Sequence, residues 1–200
     1  ADPTHARSAC CGFAPDGTRA ARSDKIHLFR YANERESYDE ARTLEPGDAP
    51  TVVTARIGER DWRIGLTVCY DLRFPELYRA LADHRVDIVT VPAAFTHTTG
   101  QAHWEVLLRA RAIENQAYVI ASAQSGKHEN GRRTWGHSMI IDPWGDVLAQ
   151  CEADGEGVAV ATIDAARLDA VRSQLPALTH RRTAFATAVT GHATDQGPAR

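Results

Sequence analysis

The stretch Ile64–Phe95, "IGLTVCYDLRFPELYRALADHRVDIVTVPAAF", decides the fold. Its first apolar run reads as a strand that ends at Cys69. Beyond it, "FPELYRALADHR" repeats apolar residues at helical spacing, and Pro75 is tolerated in a first helical turn, where its missing N–H leaves no bond unmade. "VDIVTVPAAF" is then nearly continuous in apolar residues, the pattern of a strand covered on both faces. The order is strand, Cys69, helix, strand, and it reads as α/β. A reactive residue between a strand and a helix is projected outward by the tight turn, and the helix's first amides can lower a thiol pKa or stabilise an oxyanion. Position alone leaves the other reading open, because free cysteine is commonly a small buried hydrophobe.

Upstream, "ACCGFAPDGTRAARSDKIHLF" reads as two strands joined at Pro15-Asp16-Gly17, since Asp-Gly supplies the positive φ of a tight hairpin. Lys25 then falls at the start of a strand or just inside it. Residues 30–50 are mostly charged and read as a long surface loop. "TVVTARIGERDWRIGLTVC" gives two strands about a turn near Gly58-Glu59-Arg60.

Downstream, "HWEVLLRARAIENQA" has the apolar repeat of a helix, with Trp104, Leu107, Leu108 and Ala112 three or four residues apart. "YVIASAQ" reads as a strand and "TWGHSMIIDPWGDVLAQC" as a hairpin turning at Asp142–Gly145. "GVAVATID" reads as a last strand, and "AARLDAVRSQL" as a short helix closed by Pro176. Residues 1–182 are expected to form one domain, with 183–200 as a flexible tail.

With 200 residues and 43% hydrophobic content, the chain can build a real core. A net charge of -3 argues against nucleic-acid or anionic-membrane partners and favours a small molecule or another protein. The four cysteines, Cys10, Cys11, Cys69 and Cys151, suit reduced thiols and a cytoplasmic setting better than a disulfide framework. No apolar stretch approaches the roughly 20 residues of a membrane span. His27, His84, His97, His103 and His137 are available partners for a cysteine, but none sits in a cysteine-protease signature. No Cys-x-x-Cys or His-x-x-x-His pair marks a zinc site, so no metal or other cofactor is expected.

"DKIHLF", "CYDLRFPEL", "PAAFTHTTGQAHWEVLLRARAIENQAYV" and "GHSMIIDPWG" resemble, in order, the motifs of the carbon-nitrogen hydrolase (nitrilase) superfamily. The last two are most similar to its omega-amidase and deaminated glutathione amidase branch. The resemblance covers about Cys10 to Arg182. It implies a four-layer α-β-β-α sandwich, a homodimer or larger homo-oligomer, and hydrolysis of the terminal amide of a small carboxylate-bearing amide, with release of ammonia. Other amidases or carbamoyl-amide hydrolases of the superfamily are the alternative, as is a fragment that only binds.

The same resemblance places the nucleophile at Cys69, the lysine of a Glu-Lys-Cys triad at Lys25 and an accessory glutamate at Glu40. Lys25 and the Tyr70 N–H would meet the developing oxyanion. Arg73, with Phe95 and Thr99, would hold the substrate carboxylate, a guanidinium being suited to bidentate binding. The bland reading of Arg73 is an ion pair with Asp71 or Glu76, while Glu114 and His137 read as scaffold. Two departures stand out. No residue matches the triad's base glutamate, which the family carries on an earlier strand and helix, so the chain reads as N-terminally incomplete and impaired as a catalyst. Ser23 stands where an aromatic is usual, and looser packing near Lys25 is expected.

Overall fold

The computed structural model describes residues 4–34 and 37–182. Strands β1 (Ala9–Phe13) and β2 (Arg19–Asp24) form the expected antiparallel hairpin. Lys25 falls directly after β2 and not within a strand. Its N–H donates to the Ser8 carbonyl at 2.8 Å, and its own carbonyl accepts from Gly47 N–H at 2.7 Å. The expected loop over residues 30–50 is in part structured instead. Strand β3 (Arg30–Ala32) pairs with β4 (Ser37–Asp39), and one 3-10 turn follows at Glu40–Arg42. Strands of three residues, largely exposed, carry no apolar period by which they could be recognised.

The chain then lays down β5 (Thr51–Ile57), β6 (Arg60–Leu66), β7 (Ile88–Thr90) and β8 (Tyr118–Ala121). The hairpin β9 (Ser125–Lys127) and β10 (Arg133–Trp135) comes next, followed by β11 (Met139–Ile141) and β12 (Val147–Gln150). In space the main sheet runs β12-β11-β8-β7-β6-β5. Its centre, β6, β7 and β8, is parallel, and the outer pairs are antiparallel.

Helices α1 (Pro75–Asp83), α2 (His97–Asn115) and α3 (Ala165–Gln174) complete the α/β architecture. Leu77, Tyr78 and Leu81 of α1 and Trp104, Leu108 and Ala112 of α2 pack with Val89, Val119 and Ile141 of the sheet. The adjacent strand residues Ile88 and Tyr118 belong to a second cluster, with Trp62 and Leu168 of α3. Neighbours along a strand point to opposite faces, so both faces are covered and the central strands are apolar throughout. Each fully buried leucine among these contributes about 1.5–3 kcal/mol.

Two further expectations need correction. Residues 157–164, expected as a last strand, have no ladder partner among the described residues, and Val158 and Val160 are 88% and 79% exposed. The hairpin β9–β10 was not anticipated, because "SGKHENGRRTW" is polar and short. The tail expected at 183–200 lies outside the described residues. No helix among the described residues is long and apolar enough to cross a membrane.

Candidate active site

Cys69 follows β6 by three residues and opens a 3-10 turn, Cys69–Arg73, that leads into α1. It has φ 50°, in the left-handed region that costs a non-glycine residue about 1–3 kcal/mol, so the surroundings must hold it there. They do so from several sides. Cys69 N–H donates to the Pro92 carbonyl at 2.9 Å, beyond the end of β7. The buried Asp71 carboxylate accepts from Val68 N–H at 3.0 Å, from His27 N–H at 2.9 Å, and lies 2.8 Å from His27 Nδ1. One carboxylate thereby joins the turn at Cys69 to the segment after Lys25. Ser23 is buried, and its hydroxyl donates to the Leu66 carbonyl at 3.2 Å, giving a polar tie where looser packing was expected.

The Cys69 thiol lies on the wall of a cleft of about 550 Å³, which Lys25, Glu40, Ala93, Ala94, Gln124 and Arg132 also line. The cleft sits where β6, β7 and β8 end, the crevice in which open α/β sheets bind ligands. Lys25 is 2% exposed, and its ammonium is paired with Glu40. Glu40 Oε2 also accepts Phe29 N–H at 2.7 Å. Gly47 is required beside this pair: a Cβ there would lie 2.5 Å from the Asp24 carbonyl oxygen. Burial pushes the Cys69 thiol pKa up, while the Lys25 charge, the Ala94 backbone and Arg132 pull it down. Burial prevails, so the thiol is held protonated above the ordinary range.

On the other side of Cys69 is a narrower recess. Phe29, Tyr70, Arg73, Phe95, Thr99 and Arg132 are among its walls. The Arg73 guanidinium lies 5.2 Å from the Phe95 ring and 5.8 Å from Tyr70, and 3.2 Å separates Nη1 from His103 Nδ1. Burial lowers its pKa, but a guanidinium stays cationic. Asp71 and Glu76 are not its partners, so the ion-pair reading of Arg73 fails. Thr99 Oγ1 is 2.8 Å from Thr96 Oγ1, and Phe95 packs on Trp104 with centroids 4.8 Å apart.

All seven residues singled out in the sequence, Lys25, Glu40, Cys69, Tyr70, Arg73, Phe95 and Thr99, therefore meet around one thiol. Among the described residues, no histidine lines either cavity at Cys69. Glu114 lies 2.6 Å from Arg111, whose guanidinium donates twice to the Leu72 carbonyl. The His137 ring stacks on Trp135 and its carbonyl accepts Trp104 Nε1–H at 2.9 Å, so both residues act as scaffold. Sequence reasoning missed Arg132, which borders cleft and recess alike. An arginine pair after Asn130-Gly131 reads as turn and surface, and no linear spacing connects it with Cys69.

The profile of the carbon-nitrogen hydrolase family matches residues 4–173. The chain is 46% identical over 172 residues to a deaminated glutathione amidase of Yersinia enterocolitica, covering 85% of this chain and 58% of that one. It also resembles the crystal structure of the C. elegans NitFhit protein, with TM-score 0.80 and 36% identity over 98% of this chain and 48% of that one. The amidase from Nesterenkonia sp. AN1, seen in a mutant with acrylamide added to its active-site cysteine, matches with TM-score 0.60 and 30% identity over 80% of this chain and 58% of the other. The chain thus spans roughly half to three fifths of the length of these relatives.

Proposed function

Because the chain belongs to the carbon-nitrogen hydrolase family, we propose that it carries the cysteine half-site of an amidase for small carboxylate-bearing amides, of omega-amidase or deaminated glutathione amidase type. The observation that carries this reading is the left-handed Cys69 between a Lys25–Glu40 pair on one side and the Arg73 recess on the other. The substrate's acyl arm enters the recess, where Arg73 holds its carboxylate and Phe95 and Thr99 shape the walls. Its carbonyl carbon meets the Cys69 sulfur. As the C–S bond forms, the carbonyl oxygen gains negative charge and is met by Lys25 and the Tyr70 N–H. Collapse of the adduct breaks the C–N bond, and the leaving nitrogen takes up the thiol's proton and departs as ammonia from a primary amide, or as the free amine from a substituted one. Water then attacks the thioester, giving the free acid and restoring the thiol.

Each step needs a base, and Glu40 is the only carboxylate lining the cleft among the described residues. It is occupied by Lys25 and Phe29 N–H, and orients the lysine. With its thiol held protonated, this 200-residue chain acylates slowly, and a general base lost from hydrolysis of the thioester costs roughly 10²–10⁴ in rate. We also propose that copies of the chain associate, a reading supported by the exposure of Val158 and Val160.

Intact-mass spectrometry after incubation with glutaramate, with ammonia measured alongside, tests the proposal. The expected result is a glutaryl adduct on Cys69 that Cys69→Ala abolishes. Ammonia release at an unchanged rate by the Cys69→Ala protein would show that the thiol is not the nucleophile.

A further inference from the structure

The parallel strands β7 and β8 begin, at Ile88 and Tyr118, at the end of the sheet remote from Cys69. There α1, α2 and α3 all terminate, and between their last residues lies a cavity of about 350 Å³, within the size range of small-molecule sites. It shares no residue with the cleft or the recess at Cys69. Two residues that close these helices, Arg85 after α1 and Gln116 after α2, have φ 54° and 48°. Glycine is usual in this left-handed conformation, and other residues are strained in it. Both line the cavity, and strain of this kind collects where ligands are held.

Gln116 is 2% exposed, and its side-chain Nε2–H donates to the Leu175 carbonyl at 2.5 Å. That bond fixes the amide's orientation and leaves Oε1 without a donor among the described residues. Three arginines reach the cavity, and two are accounted for. Arg172 donates to the Gln116 and Val86 carbonyls at 3.0 and 2.6 Å and to Asp87 at 2.8 Å. Arg181 is paired with Asp83. The Arg85 guanidinium has no hydrogen bond or ion pair among the described residues. Nor does α1 need it as a cap, because the His84 carbonyl already accepts from Arg63 at 2.9 Å. Pro176 and Leu178, both half-buried, supply an apolar wall. An unmatched guanidinium, an acceptor without a donor and an apolar wall thus share one cavity.

We infer that this cavity is a binding site, separate from Cys69, for a free α-amino acid with an aliphatic side chain. The Arg85 guanidinium takes the carboxylate, Gln116 Oε1 accepts from the ammonium, and Pro176 and Leu178 cover the side chain. The inference stands apart from the amidase reading and does not depend on it.

Calorimetric titration of the 200-residue chain with L-leucine tests it, beside 4-methylpentanoate, which lacks the ammonium, and isopentylamine, which lacks the carboxylate. L-leucine should bind at least tenfold more tightly than either. Arg85→Gly suits the left-handed backbone, so it should weaken L-leucine binding at least tenfold while the melting temperature holds or rises, which separates loss of binding from loss of fold. Arg85→Lys, which keeps the charge without the planar fork, should retain part of the affinity. Arg73→Gln, in the recess beside Cys69, should change it less than twofold. No binding of L-leucine, equal affinity for either analogue, or binding that survives Arg85→Gly overturns the inference. Loss of binding on Arg73→Gln would place the amino acid beside Cys69 and overturn it as well.

Discussion

Burial sets the reactivity of Cys69 against the pull of Lys25, the Ala94 backbone and Arg132. A thiol with a raised pKa reacts through a thiolate fraction that is small at neutral pH and grows about tenfold per pH unit below its pKa. Iodoacetamide labelling of Cys69, followed by mass spectrometry, should accordingly still be climbing at pH 9, and Lys25→Met should move the curve to higher pH. A plateau below pH 8 would contradict the burial argument. At this scale Lys25, Glu40, Cys69 and Arg73 are legible in the sequence because each lies in a motif that resembles the family's. Arg132 is not, since its role comes from a hairpin that folds it back onto residues 94–96. Asp71 is legible as an acid, but its bond to His27 spans 44 residues and has no linear signature.

Close approach between elements holds the hairpin that carries Arg132. Gly100, in the first turn of α2, faces β10, and a Cβ there would lie 2.3 Å from the Trp135 Cβ, so helix and strand must move apart if one is added. Overpacking of this kind costs about 1–3 kcal/mol. Gly100→Ala should lower unfolding stability by that amount in urea titrations and displace Thr99 and Arg132 together, weakening carboxylate binding. Unchanged stability would mean that the contact relaxes freely. The long amphipathic α2 and the central strands are legible from periodicity, because burial on one or both faces leaves a repeat. The β3–β4 and β9–β10 hairpins are not: three-residue strands rich in polar side chains owe their form to backbone ties such as Trp135 to Phe95.

Across the whole molecule, apolar surface is covered on both faces of the sheet's centre but not along residues 157–164. The alternation in "GVAVATID" is that of a strand, yet pairing needs a neighbour, and none is present among the described residues. Exposed apolar segments beside a sheet edge promote association. Light scattering on the 200-residue chain should show concentration-dependent self-association, which Val158→Lys with Val160→Lys reduces. A monomer at all concentrations would remove that expectation. The site meanwhile stands on the ends of β6, β7 and β8, where Phe95 belongs to the larger core cluster and Cys69, Ala93 and Ala123 pack against it. Cys69 and Lys25 are fixed by buried ties, whereas the β9–β10 hairpin reaches the pocket from outside the sheet. A change in that short hairpin is therefore felt at both cavities beside Cys69 at once, because the arginine it carries borders each of them.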